Sequence, residues 1–288
     1  MNSSVFFLIW LILFILLLLL NEKKVNYEHF TENNVDNFDE IYCKYHNNTF
    51  NQTDFYKKDA ERIYKKLGSW TNKILLDVGT GCGKHYKYIF DINKKNNKFQ
   101  KIIGIDKSKN MLNQAKINCS NGYFINDNVL NDKLFKKEEL THITCFTDTL
   151  YHNSLDDMKK ILANFNYWLK DKGYLFIHIF DRNKLDPSPR EYSQFYKDND
   201  GKKHSLTYFN TYTHDAIWND IDKDSVIYNE TIVTKNKKMK NIKTKLYIPT
   251  EQNKILDIIR NKGFKLDEIM SMKDVGNDDI NLFIFYKI

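Results

Sequence analysis

Apolar runs of four to eight residues alternate with amphipathic stretches along most of the chain after residue 53. Apolar side chains at helical spacing predict a first helix over residues 54–67, which Gly68 ends. The apolar runs predict strands at residues 73–78, 101–105, 122–125, 142–146, 173–180, 264–271 and 281–287. Helices are predicted at residues 84–93, 109–118, 156–169 and 251–262, with a short loop-and-helix segment that reaches Glu139. This alternation is typical of a doubly wound, mostly parallel α/β sheet.

The alternation stops between residues 181 and 248. Pro187 and Pro189 stand near the start of this region, and the stretches HSLTYFNTYTHD and SVIYNETIVTK then alternate apolar and polar positions. A period of two is typical of half-buried antiparallel strands. We predict a β-rich insertion after the fifth strand, which covers one edge of the sheet as a lid or substrate region.

The first 24 residues differ in composition from the rest of the chain. Residues 5–20 are all apolar, and as a helix they span about 24 Å, close to a bilayer core of roughly 30 Å. A cleaved signal peptide is the alternative, but no basic residue precedes the run and no small pair follows it. We predict a transmembrane anchor in residues 1–24 and a tether or docking segment in residues 25–53. Lys23 and Lys24 follow the run, which predicts that the domain of residues 54–288 faces the cytoplasm.

Composition and charge narrow the class of protein. The 288 residues are 42% hydrophobic and 15% aromatic, enough for one large core. The net charge of +7 comes from 44 basic and 37 acidic residues spread along the chain, which disfavours a nucleic-acid partner. The lysine-dense residues 234–245 are suited to binding the phosphates of RNA or of a membrane surface. The alternative is a hairpin whose lysines are only solvated. The four cysteines form no CxxC pair and no cluster with histidine at ligand spacing, so we predict no metal site.

Three glycines stand within five residues where the first strand meets its helix, in the sequence DVGTGCGKH. Such a turn lets the backbone approach a ligand closely and directs N–H groups at it. A nucleotide-phosphate loop, GxxxxGKS/T, fails at Val78 and His85. A dinucleotide fingerprint, GxGxxG, is weakened because Lys84 stands at its third glycine. A nicotinamide oxidoreductase is therefore a minor alternative.

The remaining pattern, an acidic residue followed by GxGxG, resembles motif I of the class I S-adenosylmethionine-dependent methyltransferases. IIGIDKSKNML resembles the second strand of that family, YFINDNV its third-strand turn, and THITCFTDTLYHN its fourth strand and the loop after it. LKDKGYLFIHIF resembles its fifth strand, and RNKGFKLDEI the entry to its sixth. The resemblance implies a Rossmann-like seven-stranded sheet, parallel except for an antiparallel last strand, and S-adenosyl-L-methionine as the cofactor.

The resemblance also implies roles for individual residues. The cofactor-binding set that it implies is Asp77, Gly79, Thr80, Gly81, Gly83, Asp106, Lys107, Asp127, Asn128 and Phe146. Within it, Asp106 would hold the two ribose hydroxyls and Asp127 would meet the adenine amino group. His152 is the predicted general base, with Tyr151 beside it as a second catalytic residue. The alternatives are a helix cap for Asp106, a turn residue for Asp127 and a packing role for His152.

Two positions depart from the family pattern. His142 stands where the family has an acidic residue, and Asp171-Lys172 replaces Pro-Gly before the fifth strand. We predict an S-adenosylmethionine-dependent methyltransferase that acts on a small-molecule or lipid-like acceptor at a membrane. RNA or cap methylation is an alternative because of the lysine-dense stretch. A catalytically inactive binding module is another, because of the two departures.

Overall fold

The chain forms two sheets in a computed structural model, which describes residues 38–50, 53–185, 193–197, 203–237 and 239–288. The helices are α1 (Glu40–Thr49), α2 (Thr53–Ile63), α3 (Lys84–Asn96), α4 (Lys109–Asn118), α5 (Leu155–Trp168) and α6 (Asn253–Arg260). The strands are β1 (Ile74–Val78), β2 (Lys101–Asp106), β3 (Tyr123–Asn126), β4 (Leu140–Cys145), β5 (Leu169–Phe180), β6 (Ser193–Lys197), β7 (Lys203–Tyr208), β8 (Tyr212–Asp220), β9 (Val226–Thr234), β10 (Met239–Leu246), β11 (Phe264–Met272) and β12 (Asn277–Lys287). Single 3₁₀ turns lie at Leu150–His152, Arg182–Lys184 and Lys273–Val275.

The larger sheet has seven strands in the order β11-β12-β5-β4-β1-β2-β3. β1 pairs in parallel with both β2 and β4, so that Val78 lies opposite Ile105 on one side and Cys145 on the other. β12, the last strand, is antiparallel to both β5 and β11. The carboxyl ends of β1, β2, β4 and β5 therefore meet at one edge of the sheet. The predicted doubly wound sheet with an antiparallel last strand is confirmed.

α5 covers one side of this sheet with an apolar face. The buried positions of α5 recur at helical spacing, and they are Met158, Ile161, Leu162, Phe165 and Trp168. The helix begins where the Ser154 hydroxyl accepts the Asp157 N–H. β4 is buried along its whole length, and the polar side chains of Thr141, His142 and Thr144 are hydrogen-bonded there.

The structure corrects the prediction of a short helix between β3 and β4. Residues 127–139 form turns without a helix. The side chain of Asn128 accepts the Leu130 N–H, and that of Asn131 accepts the Lys133 N–H. Asparagine side chains that bond the backbone two residues ahead stabilise turns and compete with helical hydrogen bonds. The first predicted helix, over residues 54–67, is also shorter than expected because α2 ends at Ile63.

The predicted β-rich insertion is confirmed as a second, antiparallel sheet in the order β10-β9-β8-β7-β6. Buried and partly buried positions alternate along β8 and β9, as their sequences predict. α1 packs against this sheet, where the Thr49 and Tyr212 hydroxyls lie 2.7 Å apart. The segment before α2 and the insertion after β5 are therefore in direct contact.

A buried arginine attaches the insertion to the end of β5. The Arg182 guanidinium donates to the backbone carbonyls of Ile248, Asp222 and Ser225. It also bonds the Asp220 carboxylate at 2.9 Å. A planar guanidinium can serve several acceptors at once, so this single side chain fixes the base of the inserted sheet.

The predicted anchor at residues 5–20 lies outside the described residues. None of the helices in the described ranges is both long enough and apolar enough to cross a bilayer.

Candidate active site

A cavity of about 320 Å³ opens at the carboxyl ends of β1, β2 and β4. This volume lies within the range of small-ligand sites, roughly 300–1,000 Å³. The cavity brings together most of the residues that the sequence predicts for the site, namely Asp77, Gly79, Thr80, Gly81, Asp106, Lys107, Asp127, Asn128, Phe146 and His152. Gly83 and Tyr151 do not line it.

The glycine loop follows β1 and forms one wall of the cavity. Gly79, Gly81 and Gly83 have φ angles of 62°, 54° and 73°, which only glycine adopts without strain. A Cβ on Gly81 would have no neighbour closer than 3.9 Å, so the protein leaves space there. A Cβ on Gly83 would lie 3.0 Å from the Ala115 Cβ. This glycine therefore lets α3 pack closely against α4, and its predicted role in cofactor binding stays a prediction.

Two carboxylates hold the loop in place. The Asp77 carboxylate accepts hydrogen bonds from the hydroxyls of Thr80 and Thr144, each at 2.7 Å. Burial raises the pKa of Asp77. The Asp106 carboxylate, at the end of β2, accepts the Gly81 N–H at 2.9 Å and the Ser108 N–H at 2.8 Å. Burial likewise raises the pKa of Asp106. Asp106 thus joins the glycine loop to the neighbouring strand end and also faces the cavity.

Asp127 and Asn128 lie in the turn after β3 and also reach the cavity. Asp127 Oδ1 accepts the Asn128 N–H at 2.7 Å. These bonds support the turn, while both side chains remain at the cavity surface. Lys107 lines the cavity beside Asp106, and the ring of Phe146 lines it from the end of β4.

His152 lies in the cavity wall and pairs with a carboxylate. Its Nε2 is 3.1 Å from Asp148 Oδ2. Although burial opposes ionisation of Asp148, the adjacent imidazole lowers the pKa of this carboxyl to about 2. Within the described ranges, Nδ1 of His152 has no hydrogen-bond partner. A carboxylate that orients an imidazole in this way leaves the other nitrogen to accept a proton.

The prediction that Tyr151 is catalytic is corrected. This side chain is 1% exposed and lies in the core, where its hydroxyl accepts the Phe180 N–H at 3.1 Å. Burial raises the pKa of its phenol far above the ordinary value. Side chains of successive residues in a 3₁₀ turn point about 120° apart. Tyr151 therefore faces the core, whereas His152 faces the cavity.

The sequence predicts a lid or substrate region in the insertion and a docking segment before α2, but it does not identify which of their residues line the cavity. Residues from these two segments that line the cavity include Phe38, Tyr42, His46, Trp218, Tyr228 and Glu230. Glu230, on β9, accepts the Tyr42 hydroxyl at 2.9 Å and lies 3.0 Å from His214 Nε2. Tyr42 and Glu230 are 188 positions apart in the chain, and no local pattern predicts such a contact. The aromatic residues of α1 were the one available signal.

A second missed feature is a buried cluster beside the cavity. Asp59 on α2, His85 on α3 and His178 on β5 bring one ligand atom each within 4.8 Å of the others. Asp59 Oδ2 lies 3.1 Å from Nε2 of each histidine. The Thr147 N–H donates to Nδ1 of His178 at 2.9 Å. The neutral ring of His178 therefore carries its proton on Nε2 and offers no lone pair there to a metal ion.

Both departures from the family pattern have structural roles away from the cavity. Buried His142 lies with Nε2 2.9 Å from the Lys66 carbonyl, which ties the segment after α2 to β4. Burial lowers the pKa of His142 to about 4. Lys172 takes a φ of 63° near the start of β5, and its ammonium lies 5.2 Å from the centre of the Tyr286 ring. His142, Asp171 and Lys172 do not line the cavity, so neither departure changes its lining.

Part of this amino-acid sequence is similar to known proteins. A protein-family model described as "Methyltransferase domain" matches residues 69–263, more than half of the chain. The release factor glutamine methyltransferase of Buchnera aphidicola subsp. Acyrthosiphon pisum (strain APS) is 31% identical over 154 residues, which cover 44% of this chain and 52% of that protein. The chain thus spans about half the length of this curated relative.

Solved structures share the fold. The CcbJ methyltransferase from Streptomyces caelestis superposes with a TM-score of 0.62 at 11% identity, covering 81% of this chain and 89% of that one. CalS10 from Micromonospora echinaspora is an amino pentose methyltransferase solved with S-adenosylmethionine bound. It superposes with a TM-score of 0.60 at 15% identity, covering 90% of this chain and 100% of that one. At these identities the likeness concerns the fold alone. The family-model match, on a sheet of this topology, shows that the chain belongs to the class I S-adenosylmethionine-dependent methyltransferases, enzymes whose methyl donor is S-adenosylmethionine.

Proposed function

We propose that this chain transfers the methyl group of S-adenosylmethionine to a small molecule or a lipid headgroup bound in the cavity. One observation carries the proposal: the glycine loop and Asp106 share one cavity with side chains of α1 and the inserted sheet. A reaction centre covered in this way favours an acceptor of limited size. The amino pentose substrate of CalS10, a protein of the same fold, is consistent with such an acceptor.

The residues present fit the cofactor. Asp106 places a carboxylate at the cavity beside Gly81, and a carboxylate can accept two ribose hydroxyls. Gly81 leaves space where any other residue would place a side chain. Asp127 and Asn128 offer an acceptor and an amide for the adenine edge. We assign the cofactor to the side of the cavity that these residues form.

When bound, S-adenosylmethionine supplies an electrophilic methyl group on a sulfonium. The chain aligns the acceptor for in-line displacement and excludes water from it. Where the acceptor carries a proton, His152 takes it on Nδ1, and Asp148 stabilises the resulting imidazolium. The inserted sheet and α1 exclude solvent from this step.

Replacing Asp106 with alanine should weaken binding of S-adenosylhomocysteine by about 1–3 kcal/mol, because a carboxylate that accepts hydroxyl donors is lost. Isothermal titration measures this change. Asp91→Ala is the matched control, since the Asp91 side chain is 42% exposed on α3 and forms ion pairs with Lys87 and Lys94. Equal affinities of native and Asp106→Ala chains would remove Asp106 from the cofactor site.

We also propose that residues 5–20 hold the chain in a membrane with its catalytic domain in the cytoplasm. The support is the uncharged apolar run and the two lysines after it. Extraction of membranes with alkaline carbonate tests this arrangement. The full chain is expected to stay in the pellet, and its release into the supernatant would rule out a spanning anchor.

The lysine-dense residues 234–245 give little support to an RNA acceptor. They form a hairpin of β9 and β10, in which Lys240 is 6% exposed. Its ammonium lies 2.6 Å from Asp39 Oδ2, at the start of α1. At least this lysine therefore holds α1 to the insertion instead of facing a phosphate.

A transfer assay with methyl-labelled S-adenosylmethionine tests the proposed function. The full chain, purified in nanodiscs, is incubated with a small-metabolite extract, a lipid extract or short RNA. Label in a small-molecule or lipid product is expected. Label in RNA alone, or no label in any fraction, would overturn the proposal.

A further inference from the structure

Part of the cavity wall carries two carboxylates whose basic partners, in the described residues, are histidines only. Glu230, on β9, and Asp148, in the loop after β4, both line the cavity. In the part of the chain that the structure describes, neither forms an ion pair with a lysine or arginine. Their partners are histidines and a tyrosine hydroxyl. This wall therefore presents two carboxylates to a ligand, and their partners in the described residues are imidazoles and a phenol rather than a fixed positive charge.

Glu230 is held in this position at an energetic cost. Only 3% of the residue is exposed, and a buried carboxylate is unfavourable unless it is paired or hydrogen-bonded. The Tyr42 hydroxyl donates to it at 2.9 Å, and His214 Nε2 lies 3.0 Å away. Burial and the charge of Glu230 both raise the pKa of Tyr42 and of Tyr228, so these phenols stay protonated. Glu230 is thus held at the cavity wall by a neutral phenol and an imidazole.

Aromatic rings surround the same wall. Phe38, Tyr42, Trp218 and Tyr228 all line the cavity. The Phe38 and Tyr42 rings are 5.3 Å apart, and those of Trp218 and Tyr228 are 4.6 Å apart. Aromatic faces attract cations, most strongly when the cation is desolvated. Aromatic rings and carboxylates in one cavity are groups that attract an ammonium cation.

We propose, on the basis of the proposed function, that the methyl acceptor is an amine that enters this wall as an ammonium cation between Glu230, Asp148 and the rings. The proton passes from nitrogen to Nδ1 of His152, which leaves a lone pair on nitrogen. A nitrogen–carbon bond to the methyl group then forms as the sulfur–carbon bond breaks, and that electron pair stays on sulfur. The products are the methylated amine, S-adenosylhomocysteine and one proton.

Binding of a cation that cannot react tests this inference. Tetramethylammonium and its uncharged analogue 2,2-dimethylpropanol are titrated into the full chain saturated with S-adenosylhomocysteine. Tetramethylammonium is expected to bind at least tenfold more tightly than the alcohol. Glu230→Gln should weaken tetramethylammonium binding about thirtyfold, the order expected for loss of a charged partner. Exposed Glu251 provides the control, and Glu251→Gln should change nothing.

The first titration separates the two proposals. If S-adenosylhomocysteine does not bind, the proposed function is wrong, and so is the amine proposal that rests on it. If it binds normally to the native chain and to Glu230→Gln, both are folded. Equal affinity for tetramethylammonium and the alcohol, or an unchanged cation affinity in Glu230→Gln, then overturns the amine proposal alone.

The amine can belong to a soluble metabolite or to a lipid headgroup, and a turnover assay distinguishes these sources. Ethanolamine in solution and phosphatidylethanolamine in vesicles are offered separately with labelled S-adenosylmethionine. Label in either product supports the amine class and identifies its source. Label that instead enters a hydroxyl-bearing analogue without an amine contradicts it.

Discussion

Gly79→Ala is expected to reduce the affinity for S-adenosylhomocysteine at least a hundredfold, which corresponds to about 3 kcal/mol. Gly79 has a φ of 62°, a conformation that alanine adopts only with strain. An added Cβ would also overlap the side chain of Thr149, lying 2.9 Å from its Cβ. The loop would have to move away from β4, and the cavity wall would move with it.

Gly276→Ala provides the control for backbone strain. Gly276 has a φ of 80°, but a Cβ there would meet no atom within 4 Å. This variant should lose stability and keep native cofactor affinity. The double variant Gly79→Ala/Thr149→Ala should recover part of the lost affinity, because the overlap is reduced. Isothermal titration, with circular dichroism to confirm folding, measures all three. Native affinity in Gly79→Ala would show that the loop does not form the cofactor site.

His142→Gln should make the free energy of unfolding less sensitive to acid. Burial lowers the pKa of His142 to about 4 in the folded chain, whereas an unfolded histidine has a pKa of about 6.5. Between these values the unfolded state binds a proton that the folded state does not. The free energy of unfolding therefore keeps its full value, as far as His142 is concerned, above about pH 6.5. As the pH falls from there toward 4, proton uptake by the unfolded chain lowers this free energy by about 3 kcal/mol in total.

Urea denaturation of both chains at several values between pH 7.5 and 4.5 measures this difference. Glutamine keeps an N–H donor for the Lys66 carbonyl, which His142 Nε2 contacts at 2.9 Å, and it does not titrate in this range. Other buried histidines, such as His178, are present in both chains and cancel in the comparison. Parallel pH curves for the two chains would contradict the neutral, buried state of His142.

The sheet and the cofactor side of the cavity were predictable because their signals are local. The strands β1, β2 and β5 each contain a buried apolar run, and the glycine loop and Asp106 each stand at the end of a strand. Parallel strands that neighbour one another bring such ends together without further information. The contact between the Gly81 N–H and Asp106 follows from this rule.

The rest of the site depends on contacts between distant parts of the chain. The contact between Glu230 and Tyr42 forms because α1 and the inserted sheet pack together. The sequence of neither segment indicates that the two segments are in contact. Asp59, His85 and His178 lie on three separate elements, so no spacing rule groups them. Tyr151 was misassigned because a turn of a few residues decides which way each side chain points. Local sequence thus predicts which residues stand at strand ends, and tertiary packing decides what surrounds them.

A crystal structure of the chain with S-adenosylhomocysteine tests the central claim most directly. The ribose hydroxyls are expected within hydrogen-bond distance of the Asp106 carboxylate, with the sulfur atom toward Glu230 and His152 and the adenine beside Asp127. Density for the ligand elsewhere, or a ribose that does not contact Asp106, would contradict the account.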